Sequence, residues 1–173
     1  MKTIKSLSFS ILILLCSCNQ PGPNEKAELS IDQQEAIKNK LETIAKDFLK
    51  SWEPPFNPEA AVALFTQSDD FHLVIDGINI DTYSKWANGV PNFMSDDDYF
   101  FTSYTHEIEY IETVVLSAKS GVVTMVYIWD SISKEGVHER TQGAVTLTCR
   151  EEENDWKIVH YHGSHGDPEI VKK

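Results

Sequence analysis

From Tyr99 onward the apolar residues of this chain change from helical spacing to alternation, and that period-two stretch constrains the fold more than any other feature. β-Branched and aromatic residues dominate it, in runs at about Tyr99 to Ser117, Val122 to Ser133, Val137 to Arg150 and Trp156 to Ser164. The connections between them, Ala118 to Gly121, Lys134-Glu135-Gly136 and Glu151 to Asp155, are too short for crossovers. Consecutive strands are therefore expected to be antiparallel neighbours. The first run, at roughly eighteen residues, far exceeds a typical strand of ~5–6, so a bulge is expected where alternation breaks at Tyr110-Ile111.

Upstream, the spacing is that of helices. Ile37, Leu41, Ile44, Phe48 and Trp52 recur every three or four residues, which predicts an amphipathic helix from about Ile31 to Trp52, stopped by Glu53-Pro54-Pro55. Asn57 is a good cap with Pro58 in the first helical position, and a second helix runs through Phe65. A short strand follows at Phe71 to Ile75, and Asp76-Gly77 turns the chain toward Ile78-Asn79-Ile80. Asp81 can cap a third helix presenting Tyr83, Trp86, Ala87 and Val90 and ending near Gly89 to Pro91. The expected architecture is α+β: a cone-shaped, strongly curved antiparallel sheet with three helices packed on its concave face.

The N-terminus carries a different signal. Lys2 and Lys5, an apolar run from Ile11 to Leu15 and then Cys16-Ser17-Cys18 resemble the signal peptide and lipobox of a bacterial lipoprotein. The resemblance implies cleavage before Cys18, lipidation of Cys18, and a place in the bacterial cell envelope. Asn19 is not the aspartate of an inner-membrane retention signal, which points to the outer membrane. Residues 19–30 then form a tether with two prolines and a glycine, able to reach ~40 Å when extended. Residues 31–167 make one domain, and 168–173 a C-terminal tail.

Charge narrows the partners. The chain has 15 basic and 27 acidic residues, a formal net charge of −12, and loss of the leader removes two lysines and no acids. So acidic a surface is repelled by nucleic acid and by anionic headgroups alike. Membrane attachment must then come from the acyl anchor alone. Cys149 would be the mature chain's unmodified cysteine, and its place in Val145-Leu147-Cys149 reads as a small buried residue.

Val62-Ala63-Leu64-Phe65 followed by Asp69-Asp70, and the closing segment Trp156-Lys157-Ile158-Val159-His160-Tyr161-His162-Gly163-Ser164, resemble the nuclear transport factor 2-like superfamily, its SnoaL-like and ketosteroid isomerase-like domains in particular. The resemblance implies a small-molecule pocket between helices and sheet. Candidate lining residues are Trp86, Tyr127, Trp129, Arg140, His160 and His162. Strand parity puts Tyr127 with Trp129 on one face and His160 with His162 on one face, but not which face is inward.

Ketosteroid isomerases use an aspartate after the matched segment as proton carrier and a first-helix tyrosine as oxyanion donor. Here that position falls at about Ile75, with Asp76 one residue later, and no tyrosine precedes Tyr83. Two functions follow. One is a lipid-anchored module that binds a small apolar or amphipathic molecule and pairs as a homodimer through its exposed sheet face. The other is a small-molecule isomerase or lyase with Asp76 and His160 as a general acid–base pair. Neither requires a metal or other cofactor, and convergence of Asp76, Arg140 and His160 in one cavity would favour catalysis.

Overall fold

The computed structural model describes residues 29–93 and 101–172. The leader, Cys18, most of the tether, and Tyr99 and Phe100 at the expected start of the long meander lie outside the described residues. Helix α1, Ile31–Ser51, opens with a capping box in which Ser30 and Gln33 satisfy each other's backbone N–H groups. Its buried stripe of Ile37, Leu41, Ile44, Ala45, Phe48 and Leu49 is the expected apolar face. Helix α2, Pro58–Ala63, is capped by the Asn57 side chain, which accepts from the Ala60 N–H at 3.0 Å.

Strands β1, His72–Ile75, and β2, Ile78–Ile80, form a hairpin. Its turn residues Asp76 and Gly77 both have positive φ, 49° and 79°, as the handedness of a two-residue hairpin turn demands. Helix α3, Tyr83–Phe93, differs from expectation at both ends. Thr82 is the cap, accepting the Lys85 N–H on its hydroxyl and the Trp86 N–H on its carbonyl, while Asp81 pairs with Lys85 at 2.6 Å. The helix also runs through Gly89 and Pro91 to Phe93.

Four long strands follow: β3, Phe101–Ser117; β4, Ser120–Ser133; β5, His138–Glu152; and β6, Asp155–His165. They pair antiparallel in sequence order, as their short turns require. The expected bulge is present one residue earlier, where register shifts between Ile108 and Tyr110. The segment expected as a tail supplies a further strand, β7, Glu169–Ile170, paired with the start of β5.

The sheet order is β2-β1-β6-β5-β4-β3, and β1 runs parallel to β6. The sheet is therefore mixed, not purely antiparallel. Residues 64–71 dock β1 beside the last strand by way of mutual backbone hydrogen bonds between Leu64, Thr66 and Ile158. Curved and unclosed, the sheet lays α1 across β3, β4 and β6 on its inner face, with α2 and α3 packed alongside. Val123, Met125, Val145, Leu147 and Ile158 fill the core beneath α1. Cys149 is fully buried there, its thiol pushed up to about 12 by burial, which leaves it inert.

Candidate functional site

Alternation on β4 and β5 decides which face is inward. Val123, Met125, Tyr127, Val145 and Leu147 are buried, so their even-numbered neighbours point outward. Arg140 accordingly lies on the outer face, with its guanidinium 3.4 Å from Asp130 and 3.7 Å from Glu107.

On β6 the inward set begins with Trp156 and Ile158, which by simple alternation would continue to His160 and His162. A bulge prevents this. Cys149 pairs with Ile158 but Thr148 pairs with His160, so Val159 is an extra residue and the phase slips by one. Tyr161, Gly163 and His165 face the core instead. His160 and His162 face outward, where the Nδ1 of His160 lies 3.2 Å from that of His72. The expected placement of Arg140, His160 and His162 in the pocket is thus corrected: none of the three lines it.

A cavity of about 280 Å³ lies between α1, α3 and the inner face of the sheet. Phe48, Leu49, Trp52, Leu73, Ile75 and Trp86 make its apolar wall. Asp76, Tyr104, His106, Tyr127, Trp129, Tyr161 and His165 complete it. Of the residues singled out in the sequence, Asp76, Trp86, Tyr127 and Trp129 reach this space. A groove of about 320 Å³ beside Lys40, Asp47 and Trp156 is larger but more open, and it brings no acid–base pair together. Among the described residues, no group of three or more His, Cys, Asp or Glu side chains could hold a metal ion.

Asp76 serves both as turn residue and as cavity group. Its left-handed backbone sends the carboxylate across to the end of β6, where Oδ1 accepts the His165 N–H at 2.8 Å and Oδ2 lies 2.9 Å from His165 Nδ1. Burial pulls the Asp76 carboxyl upward, but the His165 ring, backbone N–H and charge outweigh it and hold the carboxyl below its ordinary value. An ionised carboxylate only accepts, so His165 Nδ1 carries a proton and donates to it; whenever the ring is neutral, Nε2 is then the acceptor. The Tyr127 hydroxyl is 3.0 Å from that Nε2. Burial, with the Asp76 charge, pushes the Tyr127 phenol up to about 12, so it stays protonated and donates.

Glycine makes this chain of groups sterically possible. Gly143 lies between Tyr127 and His165 in the register, and a Cβ there would stand 2.5 Å from the Tyr127 ring carbon that bears the hydroxyl. With only backbone at that point, the phenol of β4 crosses β5 and reaches β6.

A second histidine flanks Tyr127. The His106 ring lies edge-on to the Tyr127 ring, with centroids 5.3 Å apart, and its side chain is 4% exposed. Glu53, in the loop after α1, accepts the His106 backbone N–H at 3.0 Å and stands 3.5 Å from its Nδ1. Lys50 fixes the same carboxylate at 2.5 Å. Burial pushes the His106 imidazole down to about 4, more than the Glu53 charge pulls it up, so the ring is neutral at pH 7.

His106, Tyr104 and His165 were absent from the sequence-derived cavity set, as were Glu53 and Tyr161. The visible sign on β6 was the three-residue step from Ile158 to Tyr161, which an uninterrupted strand does not make. On β3 it was Tyr104-x-His106-x-Ile108, an inward alternation like that of Tyr127-x-Trp129.

No family model matches the sequence, and no curated protein matches it. Solved structures match it in shape. A scytalone dehydratase-like protein from Novosphingobium aromaticivorans DSM 12444 superposes with a TM-score of 0.69 at 15% identity, covering 83% of this chain and 93% of that one. Hexachlorocyclohexane dehydrochlorinase LinA-type3 from Novosphingobium barchaimii LL02 gives 0.66 at 12% identity over 82% and 94% of the two chains. An NTF-2-like protein of unknown function from Shewanella oneidensis MR-1 gives 0.57 at 16% identity over 74% and 98%. The chain has the nuclear transport factor 2-like fold, as the closing strand and the helical spacing led one to expect.

Proposed function

We propose that this protein is a small-molecule lyase or isomerase that moves a proton within its cone, held at the bacterial cell envelope by an acylated Cys18. The observation that carries the reading is that two histidines of one aromatic-walled cavity, His106 and His165, flank Tyr127 and each has a carboxylate beside it, Glu53 at 3.5 Å from His106 Nδ1 and Asp76 at 2.9 Å from His165 Nδ1. His106 is the base: burial keeps its ring neutral and free to accept a proton, and the Glu53 carboxylate stabilises the imidazolium once formed. The 3.5 Å between them is a length that commonly shortens when substrate fills such a site. On the far side, a protonated His165 would donate Nε2–H to the Tyr127 oxygen and release the Tyr127 hydroxyl hydrogen toward substrate. Proton removal at His106 and proton delivery through Tyr127 then balance. Two structural neighbours, a dehydratase-like protein and a dehydrochlorinase, carry names of elimination reactions, in which carbon loses a proton as a leaving group departs.

The competing reading is a binding module without chemistry. It draws on the closed hydrogen bonding of His165, whose two ring nitrogens are already engaged by Asp76 and Tyr127. In either reading the exposed outer-face residues Tyr110, Val114 and Leu116 offer a surface for a second copy. The deciding experiment extracts the molecules that copurify with the full chain, identifies them by mass spectrometry, and follows their conversion by NMR. The enzyme reading expects turnover by the wild type and a loss of about 100-fold or more in His106→Asn with binding retained. A ligand bound but never converted would leave only the module.

A further inference from the structure

The acid–base pairs leave Tyr161 without a task. It rises from β6 into the same cavity, is 2% exposed, and packs its ring against Phe48 with centroids 5.3 Å apart. A Cβ at Gly163 would stand 2.2 Å from the Tyr161 hydroxyl oxygen, so the phenol lies along its own strand over bare backbone, in the direction of His165. That hydroxyl has no hydrogen-bond partner among the described residues, yet it is not one of the polar atoms sealed away from contact. Burial, with the nearby Tyr127 and Asp76, raises its pKa, so the group is a neutral donor at any ordinary pH. A buried phenol kept protonated and unpaired beside a cavity is arranged for an acceptor that arrives with the ligand.

Charge and size restrict what that ligand can be. No lysine or arginine lines the cavity among its described residues, whereas the ionised Asp76 does and Glu53 stands behind His106. An anionic ligand would meet the Asp76 carboxylate with no lining cation to offset it, because the nearby Lys50 is already paired with Glu53. At about 280 Å³ the space is also at the small end for ligand sites, and the indoles of Trp52, Trp86 and Trp129 line it.

We infer that Tyr161 is the group that selects the ligand, and that the cone takes compact, uncharged ring compounds whose carbonyl oxygen accepts the Tyr161 O–H while the ring lies against Trp86 and Trp129. This rests on the reading of the cone as a small-molecule site. It does not depend on whether a reaction follows.

The test is calorimetric titration of the detergent-solubilised full chain with 1-indanone, indane and 1-indanecarboxylate. The wild type is expected to bind 1-indanone about fivefold to tenfold more tightly than indane, the worth of one neutral hydrogen bond, and to reject the carboxylate. Tyr161→Phe should erase the preference for the ketone and leave indane affinity unchanged. Equal affinity of the wild type for ketone and hydrocarbon, tightest binding of the carboxylate, or a preference surviving in Tyr161→Phe would each overturn the role of Tyr161 while leaving an apolar site in place. Failure of all three probes to bind the wild type would overturn the small-molecule reading as well. The wild-type comparison stands even if the variant does not fold.

Discussion

Burial lowers the His106 imidazole to about 4 in the folded chain, against an ordinary 6.5 when the chain is unfolded. Between those two values the unfolded chain takes up a proton that the folded one refuses, so acid favours unfolding. The sign is that of a depressed group: its contribution is fully present above 6.5 and is lost as pH falls toward 4, levelling off below that. At ~1.4 kcal/mol per unit of pKa, the loss amounts to roughly 3 kcal/mol across the window. Urea titrations at pH 7.5 and pH 4.5 should show that decline in the wild type and a much flatter profile in His106→Gln. An equal decline in both would mean that the acid sensitivity lies elsewhere. His106 thus reports on its own environment: the desolvation that keeps its ring neutral is also what is expected to make the domain acid-labile.

Single extra residues in two strands decide which side chains can meet. Val159 in β6 reverses the facing of everything after Ile158, turning His160 and His162 out and Tyr161 and His165 in. Glu109 does the same in β3, where Ile108 and Ile111, three apart, both pack against the core. From this it follows that His160→Ala and Arg140→Ala, both on the outer face, should leave ligand affinity within about twofold of wild type, since surface changes away from a site move little. Calorimetry with whichever ligand copurifies provides the check, and a loss of tenfold or more in either variant would contradict the assigned facing of β5 and β6. The hairpin β1–β2 acts at the same scale. Its left-handed Asp76 is required by the turn, and that conformation is also what carries the carboxylate over to His165.

For the whole molecule, the proposed attachment and the proposed chemistry can be tested separately. Among the described residues no helix is long and apolar enough to cross a membrane; the proposed anchor is acylation at Cys18. Cys18→Ser should move the protein from the membrane to the soluble fraction of a bacterial host, judged by fractionation and immunoblot. Retention in the membrane fraction would count against lipid anchoring. The order of helices and strands, the antiparallel meander and the inward face of α1 were all legible in the sequence, because amphipathic periodicity and short turns are local properties. Parity also read correctly within each pair, Tyr127 with Trp129 and His160 with His162. What periodicity could not reach was the phase of β6 beyond Val159, the parallel docking of β1 against β6, and hence the choice of His165 over His160 as partner of Asp76. Those depend on backbone pairing between segments about 90 residues apart, where an unpaired residue costs nothing in local propensity but turns the rest of a strand over. The sequence by itself therefore determined a bowed sheet under three helices; only tertiary pairing decided which imidazoles and phenols look into the hollow between them.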